Sequence, residues 1–238
     1  MKRLLQIEFI KLFTYTGFWV PAIFWAILFV LCLFLGTQIN VNIPGLDSGT
    51  FFRFPTLWNT TTWLASWFNL ILAIISIVLI PFQAAFEEIL FRGYLMQGFT
   101  AIMGKRWFPL IMTSILFALL HGLNPEVKEY GFLTMMPQYI LFGLIFGIIT
   151  ILDDGVESAI GAHTANNAFL CIMVTSKSSA LQTAALYEQH SLYPWVELVA
   201  LFAVGLIYIL ILKKIFRWKG FSLLAGDVQT PVISDTVN

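Results

Sequence analysis

Long apolar stretches are the feature that most limits what this chain can fold into. A helix needs about 20 apolar residues to cross a bilayer core, and stretches of roughly this length recur along the whole sequence. Only 11% of the 238 residues are charged and 59% are apolar or aromatic, whereas a soluble domain has about 25% and about 45–50%. The sequence therefore predicts an all-α, polytopic helical membrane protein with the lipid bilayer around it.

We predict about seven transmembrane helices. Six stretches have the composition of ordinary spans, whereas one, at 82–103, also carries two acids and an arginine, so the count falls to six if that stretch does not cross. The expected spans are Phe18–Thr37, Trp63–Ile80, Phe82–Met103, Trp107–Leu123, Met135–Leu152, Val156–Val174 and Tyr193–Leu212. Proline lacks a backbone N–H, so Pro81 is expected to end or kink the second span.

Three regions follow from this arrangement. Residues 1–79 hold an N-terminal amphipathic segment and two leading spans, residues 80–175 a helical core with the unusual polar residues, and residues 176–238 the last span and a basic tail. In the core, Gly143 and Gly147 form a small-xxx-small pair that favours close helix packing.

Several classes of function lack support. The 13 basic and 13 acidic residues balance, which is not typical of a nucleic-acid-binding chain. The sequence has no Gly-x-Ser-x-Gly, no His-Glu-x-x-His and no Walker motif, so serine hydrolase, zincin and nucleotide-driven pump are not indicated. We expect neither nucleic acid nor nucleotide as a partner.

Ionisable residues inside the predicted spans are the strongest functional signal. Each costs about 2.5–3.5 kcal/mol on insertion scales, and such residues are usually functional. Glu88 and Arg92 are four residues apart, so they can pair on one helix face, and we interpret them mainly as a structural lock. Glu87 lies about 100° around the helix from Glu88 and needs another partner.

Polar residues in two later helices are the candidate partners. His163 and Asn167 are four residues apart and share a face, and His121 lies at the far end of its helix. One glutamate and two histidines are also a known zinc ligand set. Glu87 and His121 can meet only if the stretch 82–103 crosses or dips deeply, whereas the distribution of basic residues favours six spans. Membrane orientation stays open.

These residues, taken in order, resemble the motifs of the CPBP family, the CAAX-protease and bacteriocin-processing group that is also called Abi. The family pattern is Glu-Glu-x-x-x-Arg, then Phe-x-x-x-His, then His-x-x-x-Asn, on successive membrane helices. The corresponding segments here are Glu87–Arg92, Phe117–His121 and His163–Asn167. The resemblance covers roughly residues 80–175.

The resemblance implies an intramembrane endopeptidase, with or without a metal. It implies that Glu87 activates a water molecule with help from His121, and that His163 and Asn167 are metal-site groups or an oxyanion hole. Glu88 and Arg92 belong to the same motif. A zinc ion, if one is bound, is expected on Glu87, His121 and His163. The implied substrate is a peptide or a lipidated protein, either CAAX-like or a bacteriocin precursor.

Two alternatives remain beside the protease. One is a non-enzymatic bacteriocin-immunity or scaffold protein that keeps the family's helices. The other is a proton-coupled transporter, because Glu and His within spans can form a proton relay.

Overall fold

The computed structural model describes residues 61–228 except 182, 184, 186, 190 and 191, together with residues 16, 18–20, 23 and 27. Most of the described chain is helical, with one small pair of strands. The helices are α1 Thr61–Glu88, a π-helical turn Ile89–Leu95, α2 Met96–Met103, α3 Trp107–Leu120, α4 Pro125–Tyr130, α5 Phe132–Asp153, α6 Glu157–Ile172 and α7 Pro194–Ile215, followed by a 3-10 turn Phe221–Ala225. The strands β1 Val174–Ser176 and β2 Tyr187–Gln189 pair in parallel.

Residues 61–103 form one uninterrupted helix, so the predicted end of a span at Pro81 is wrong, and the alternative prediction of a kink there stays a prediction. Helix α1 contains Pro81 in its interior, and the helix continues through the π-helical turn into α2. Proline removes a single backbone hydrogen bond, which long membrane helices tolerate. Two predicted spans, Trp63–Ile80 and Phe82–Met103, are therefore parts of one helix.

The predicted count of seven spans is not confirmed. Among the described residues, three helices are long and apolar enough to cross a membrane, at Ala73–Met103, Phe132–Asp153 and Pro194–Ile215. Helix α3 is apolar but has 14 residues, a rise of about 21 Å against a hydrocarbon core of about 30 Å. The first predicted span, at 18–37, and the loop after it lie almost wholly outside the described residues.

The helix ends differ from the predicted ones where the chain turns. Helix α3 ends at Leu120 rather than at residue 123, because His121 and Gly122 bond back to α3 as a turn. The chain between the predicted spans Trp107–Leu123 and Met135–Leu152 contains the short helix α4. It has a proline in its first turn, where no N–H is needed. The two strands are absent from the all-α prediction.

The core lies between α5, α6 and α7 and includes Trp218 from the chain that follows α7. Its fully buried members include Ile149 of α5, Ala159 of α6 and Leu212 of α7. The outer helix surfaces carry exposed apolar side chains instead, such as Ile77 at 61% and Phe86 at 67% exposure. Apolar residues on both sides of a helix suit a lipid surrounding, in line with an integral membrane protein.

The predicted packing role of the glycine pair is confirmed. A Cβ atom on Gly143 would lie 2.7 Å from the Cα atom of Ser114 in α3, and one on Gly147 would lie 2.5 Å from the side chain of Leu110. Helices α3 and α5 can therefore pack closely because these two positions of α5 are glycines.

We expect Gly143→Ala to destabilise the protein by about 1–3 kcal/mol, because the new methyl group meets backbone that cannot move aside alone. Gly98→Ala is the matched control, since nothing lies within 4 Å of a Cβ atom there, and it should be neutral or stabilising. Thermal unfolding in detergent measures both, and equal midpoints for the two variants would contradict close packing at Gly143.

Candidate active site

The first part of the site is built where α1 passes into the π-helical turn. Glu87 and Glu88 end α1, and Arg92 lies in the turn Ile89–Leu95. All three side chains are buried, with Glu88 at 0% and Arg92 at 2% exposure. Short π-helical turns within α-helices are frequent at functional sites.

Glu88 and Arg92 form the predicted lock. Arg92 Nη1 donates to Glu88 Oε1 over 3.0 Å, and Arg92 Nη2 donates to the backbone oxygen of Gly143 over 3.0 Å. The guanidinium carbon lies 4.7 Å from the ring centre of Phe117 and 5.7 Å from that of Phe146. One cation thus ties the helix 61–103 to α5 through Gly143 and Phe146, and to α3 through Phe117.

His163 connects the two neighbouring glutamates, which the sequence analysis did not anticipate. Its Nδ1 atom lies 2.8 Å from Glu88 Oε1, and its Nε2 atom lies 3.8 Å from Glu87 Oε2. A carboxylate can only accept, so Nδ1 donates its hydrogen to Glu88. The imidazole also stacks on Phe146 at 4.9 Å and 17°. These contacts direct Nε2 toward Glu87.

His121 is oriented in the same way from the other side. Its Nδ1 atom donates to the backbone oxygen of Phe117 over 2.7 Å, and its ring stacks on Tyr139 at 4.7 Å and 24°. Its Nε2 atom lies 4.0 Å from Glu87 Oε2. The predicted meeting of Glu87, His121 and His163 is therefore present in the structure.

The carboxylate of Glu87 has two different sides. Its Oε1 atom accepts a hydrogen bond of 2.5 Å from Gln83 Nε2. Its Oε2 atom is buried, has no hydrogen-bond partner among the residues that the structure describes, and faces the Nε2 atoms of both histidines. The carboxylate is therefore fixed by one oxygen and available for chemistry through the other.

Asn167 is connected to Glu87 through the side-chain amide of Gln83. Its Nδ2 atom donates to Gln83 Oε1 over 3.1 Å, and its Oδ1 atom accepts from Asn166 Nδ2 over 3.0 Å. Asn167 and Gln83 thus form a chain of hydrogen bonds that ends on Glu87.

Two residues of this site were missed by sequence reasoning. Gln83 precedes Glu87 by four residues, and that spacing was a usable signal. Tyr139 gave no such signal, because its contact with His121 depends on how α5 packs. Its hydroxyl donates to Glu126 Oε1 and accepts from Asn124 Nδ2 over 2.9 Å, which holds the ring against His121.

The donor atoms match zinc in kind but not in spacing. Tetrahedral zinc with bonds of about 2.0–2.2 Å brings its ligand atoms to about 3.4 Å from each other, whereas Glu87 Oε2 lies 3.8 and 4.0 Å from the two Nε2 atoms. In the part of the chain that the structure describes, no group of three His, Cys, Asp or Glu side chains is arranged to hold a metal ion. Zinc therefore stays a prediction.

Fold and site together define a helical membrane protein with a buried Glu and His centre, and part of this chain is similar to a known family. Residues 66–169 match the model of a family described as type II CAAX prenyl endopeptidase Rce1-like. The resemblance to the CPBP family is thereby confirmed over this segment, which contains every predicted site residue.

One curated relative is similar to part of this chain. The uncharacterized protein YyaK of Bacillus subtilis (strain 168) is similar to this chain, with 36% identity over 104 residues. The matched part is 44% of this chain and 34% of the relative, so the chain accounts for about a third of that protein's length. No solved structure matches the chain.

We expect Arg92→Met to destabilise the protein by about 3–5 kcal/mol, because it leaves the Glu88 carboxylate buried without its cation. Lys219→Met is the control, since Lys219 is exposed. Thermal unfolding of the two variants in the same detergent checks this. If Arg92→Met unfolded at the temperature of the control, the lock would contribute nothing.

Proposed function

We propose that this protein is an intramembrane endopeptidase of the CAAX-protease type that uses Glu87 to activate water. The observation that carries the proposal is the buried Oε2 atom of Glu87, which has no hydrogen-bond partner in the described part of the chain and lies opposite the Nε2 atoms of His121 and His163. The two separations, 4.0 and 3.8 Å, are too long for direct hydrogen bonds and suit one water molecule bonded to both partners.

In the proposed reaction, the water oxygen attacks the carbonyl carbon of the peptide bond while its proton moves to Glu87 Oε2. The carbon–nitrogen bond then breaks, and the proton on Glu87 passes to the departing nitrogen. The products are a carboxylic acid, which keeps the second proton of the water, and an amine, and Glu87 returns to its starting form. Gln83 holds the other oxygen of Glu87 throughout, so the base keeps its orientation.

His121 and His163 position the water and stabilise charge in this proposal. Each ring uses Nδ1 as a donor elsewhere, so Nε2 is the atom left for the reacting groups. Nε2 accepts a hydrogen bond when the ring is neutral and donates one when it is protonated. An oxyanion role for Asn167 would use the second hydrogen of Nδ2, because the first is donated to Gln83, and this role stays a prediction.

The buried surroundings support hydrolysis within the membrane rather than in water. Glu88 and Arg92 form a fully buried ion pair beside the site. The electric field at Glu87 therefore comes mainly from a few groups that are held in place. Such preorganised charges act strongly where water is excluded. We propose a membrane-associated or lipidated peptide as substrate, either CAAX-like or a bacteriocin precursor.

We expect Glu87→Gln to lower the rate of peptide hydrolysis by about 100- to 10,000-fold, because the base is lost while the shape is kept. Glu129→Gln is the matched control, since Glu129 is exposed outside the site, and its rate should stay unchanged. The assay compares cleavage of a membrane-associated peptide by the purified full chain. Hydrolysis by Glu87→Gln at the wild-type rate would refute the protease proposal and favour a non-enzymatic role.

Metal analysis of the purified protein tests the zinc prediction separately. If zinc binds, we expect about one ion per chain in wild type, loss of it in His163→Ala, retention in His190→Ala, and inhibition by a chelator. Hydrolysis that continues in a zinc-free, chelator-treated protein would exclude zinc and leave the proposed role of Glu87 intact.

A further inference from the structure

The basic residues of the described chain gather at one end of the helical bundle. Nine lysines and arginines lie in the described range. Arg92 is buried in the site. Six others lie in the turn between α2 and α3 or after the middle of α7, at Lys105, Arg106, Lys213, Lys214, Arg217 and Lys219, and the remaining two are Lys128 and Lys177.

Direct contacts hold these basic segments together. The backbone N–H of Arg106 donates to the oxygen of Gly226, and that of Val228 donates to the oxygen of Gly104. Trp218 donates through its indole N–H to Asp153, at the end of α5, over 2.7 Å. The α2–α3 turn, the end of α5 and the chain after α7 therefore form one surface, which we call the basic end.

The site lies toward the opposite end of the bundle. Helix α3 starts beside Lys105 and Arg106, and His121 directly follows its last residue, about 20 Å further along the helix axis. Lys128 lies in α4, which follows His121, and Lys177 follows β1. The site and the basic end are thus separated by most of the length of α3.

The accessible rim of the site also faces away from the basic end. The first helix runs toward the basic end from Gln83 through Glu87 to Arg92, and Gln83 is exposed whereas Arg92 is buried. In α6, which runs the other way, Asn167 follows His163 by four residues and is more exposed than the buried histidine. The side of Glu87 nearer the basic end is closed by Arg92 and Phe117, which are both buried.

Loops rich in lysine and arginine stay on the cytoplasmic side of a membrane, and acidic residues contribute little to this bias. We propose that the basic end is cytoplasmic and that the site opens toward the extracytoplasmic side. Of the two substrate classes proposed above, an exported peptide segment such as a bacteriocin precursor then fits, whereas a CAAX-like lipidated C-terminus in the cytosol does not. This substrate class rests on the proposed function, whereas the orientation does not.

Cysteine labelling tests the orientation without any need for activity. Leu123→Cys, at a position that is 98% exposed beyond α3, and Ser222→Cys, exposed at the basic end, each leave every charged residue in place. Both are made in the full chain with Cys32 and Cys171 replaced by alanine. We expect a membrane-impermeant maleimide to label Leu123→Cys in intact bacterial cells and Ser222→Cys only after the membrane is permeabilised.

The labelling has clear controls and opposing outcomes. The cysteine-free chain should remain unlabelled, and a second exposed pair, Glu129→Cys and Ala225→Cys, repeats the comparison if either first variant is poorly produced. Labelling of Ser222→Cys in intact cells, with or without that of Leu123→Cys, would overturn the proposed orientation.

The substrate class needs a second measurement. We expect cells with wild-type protein to release cleaved peptides into the extracytoplasmic fraction that cells with Glu87→Gln do not release. New fragments confined to the cytoplasmic fraction would overturn the proposed substrate class. An absence of any difference, with labelling as expected, would count against the protease activity and leave the orientation standing.

Discussion

The buried carboxylate of Glu88 is the interaction on which the rest of the site depends. It accepts hydrogen bonds from Arg92 and from His163, and Arg92 in turn bonds to Gly143. One carboxylate therefore joins the first helix to α6 directly and to α5 through the arginine. A buried charge with one partner removed costs about 3–5 kcal/mol, so this junction resists rearrangement.

The same junction separates the roles of two adjacent glutamates. Glu88 accepts from Arg92 and His163 through Oε1, and Glu87 accepts from Gln83 through its own Oε1. The Oε2 atoms of both glutamates have no hydrogen-bond partner among the described residues, but that of Glu87 faces the Nε2 atoms of both histidines. His163 lies between the two glutamates, so the hydrogen bond from its Nδ1 atom to Glu88 fixes the position of its Nε2 atom beside Glu87. Second partners of this kind fix the orientation of catalytic imidazoles in many enzymes.

Local spacing made part of this site predictable from the sequence. Glu88 and Arg92 are four residues apart on one helix, and the cost of polar residues in lipid made Glu87, His121 and His163 conspicuous. The contact of Tyr139 with His121 could not be predicted, because it depends on how α5 packs against α3. The continuity of the helix through Pro81 could not be predicted either. A proline in a sequence does not show whether other hydrogen bonds make up for the backbone N–H that it lacks. Residues 61–103 are accordingly one helix instead of parts of two spans.

We expect that Glu88 orients His163 so that Nε2 faces Glu87. Nitrogen NMR of the full chain labelled with ¹⁵N-histidine, in detergent, tests this orientation, with His163→Ala used to assign the signal. The His163 ring should carry a hydrogen on Nδ1 in the wild type and lose this preference in Glu88→Leu. A neutral His163 ring with its hydrogen on Nε2, unchanged by Glu88→Leu, would contradict this orientation.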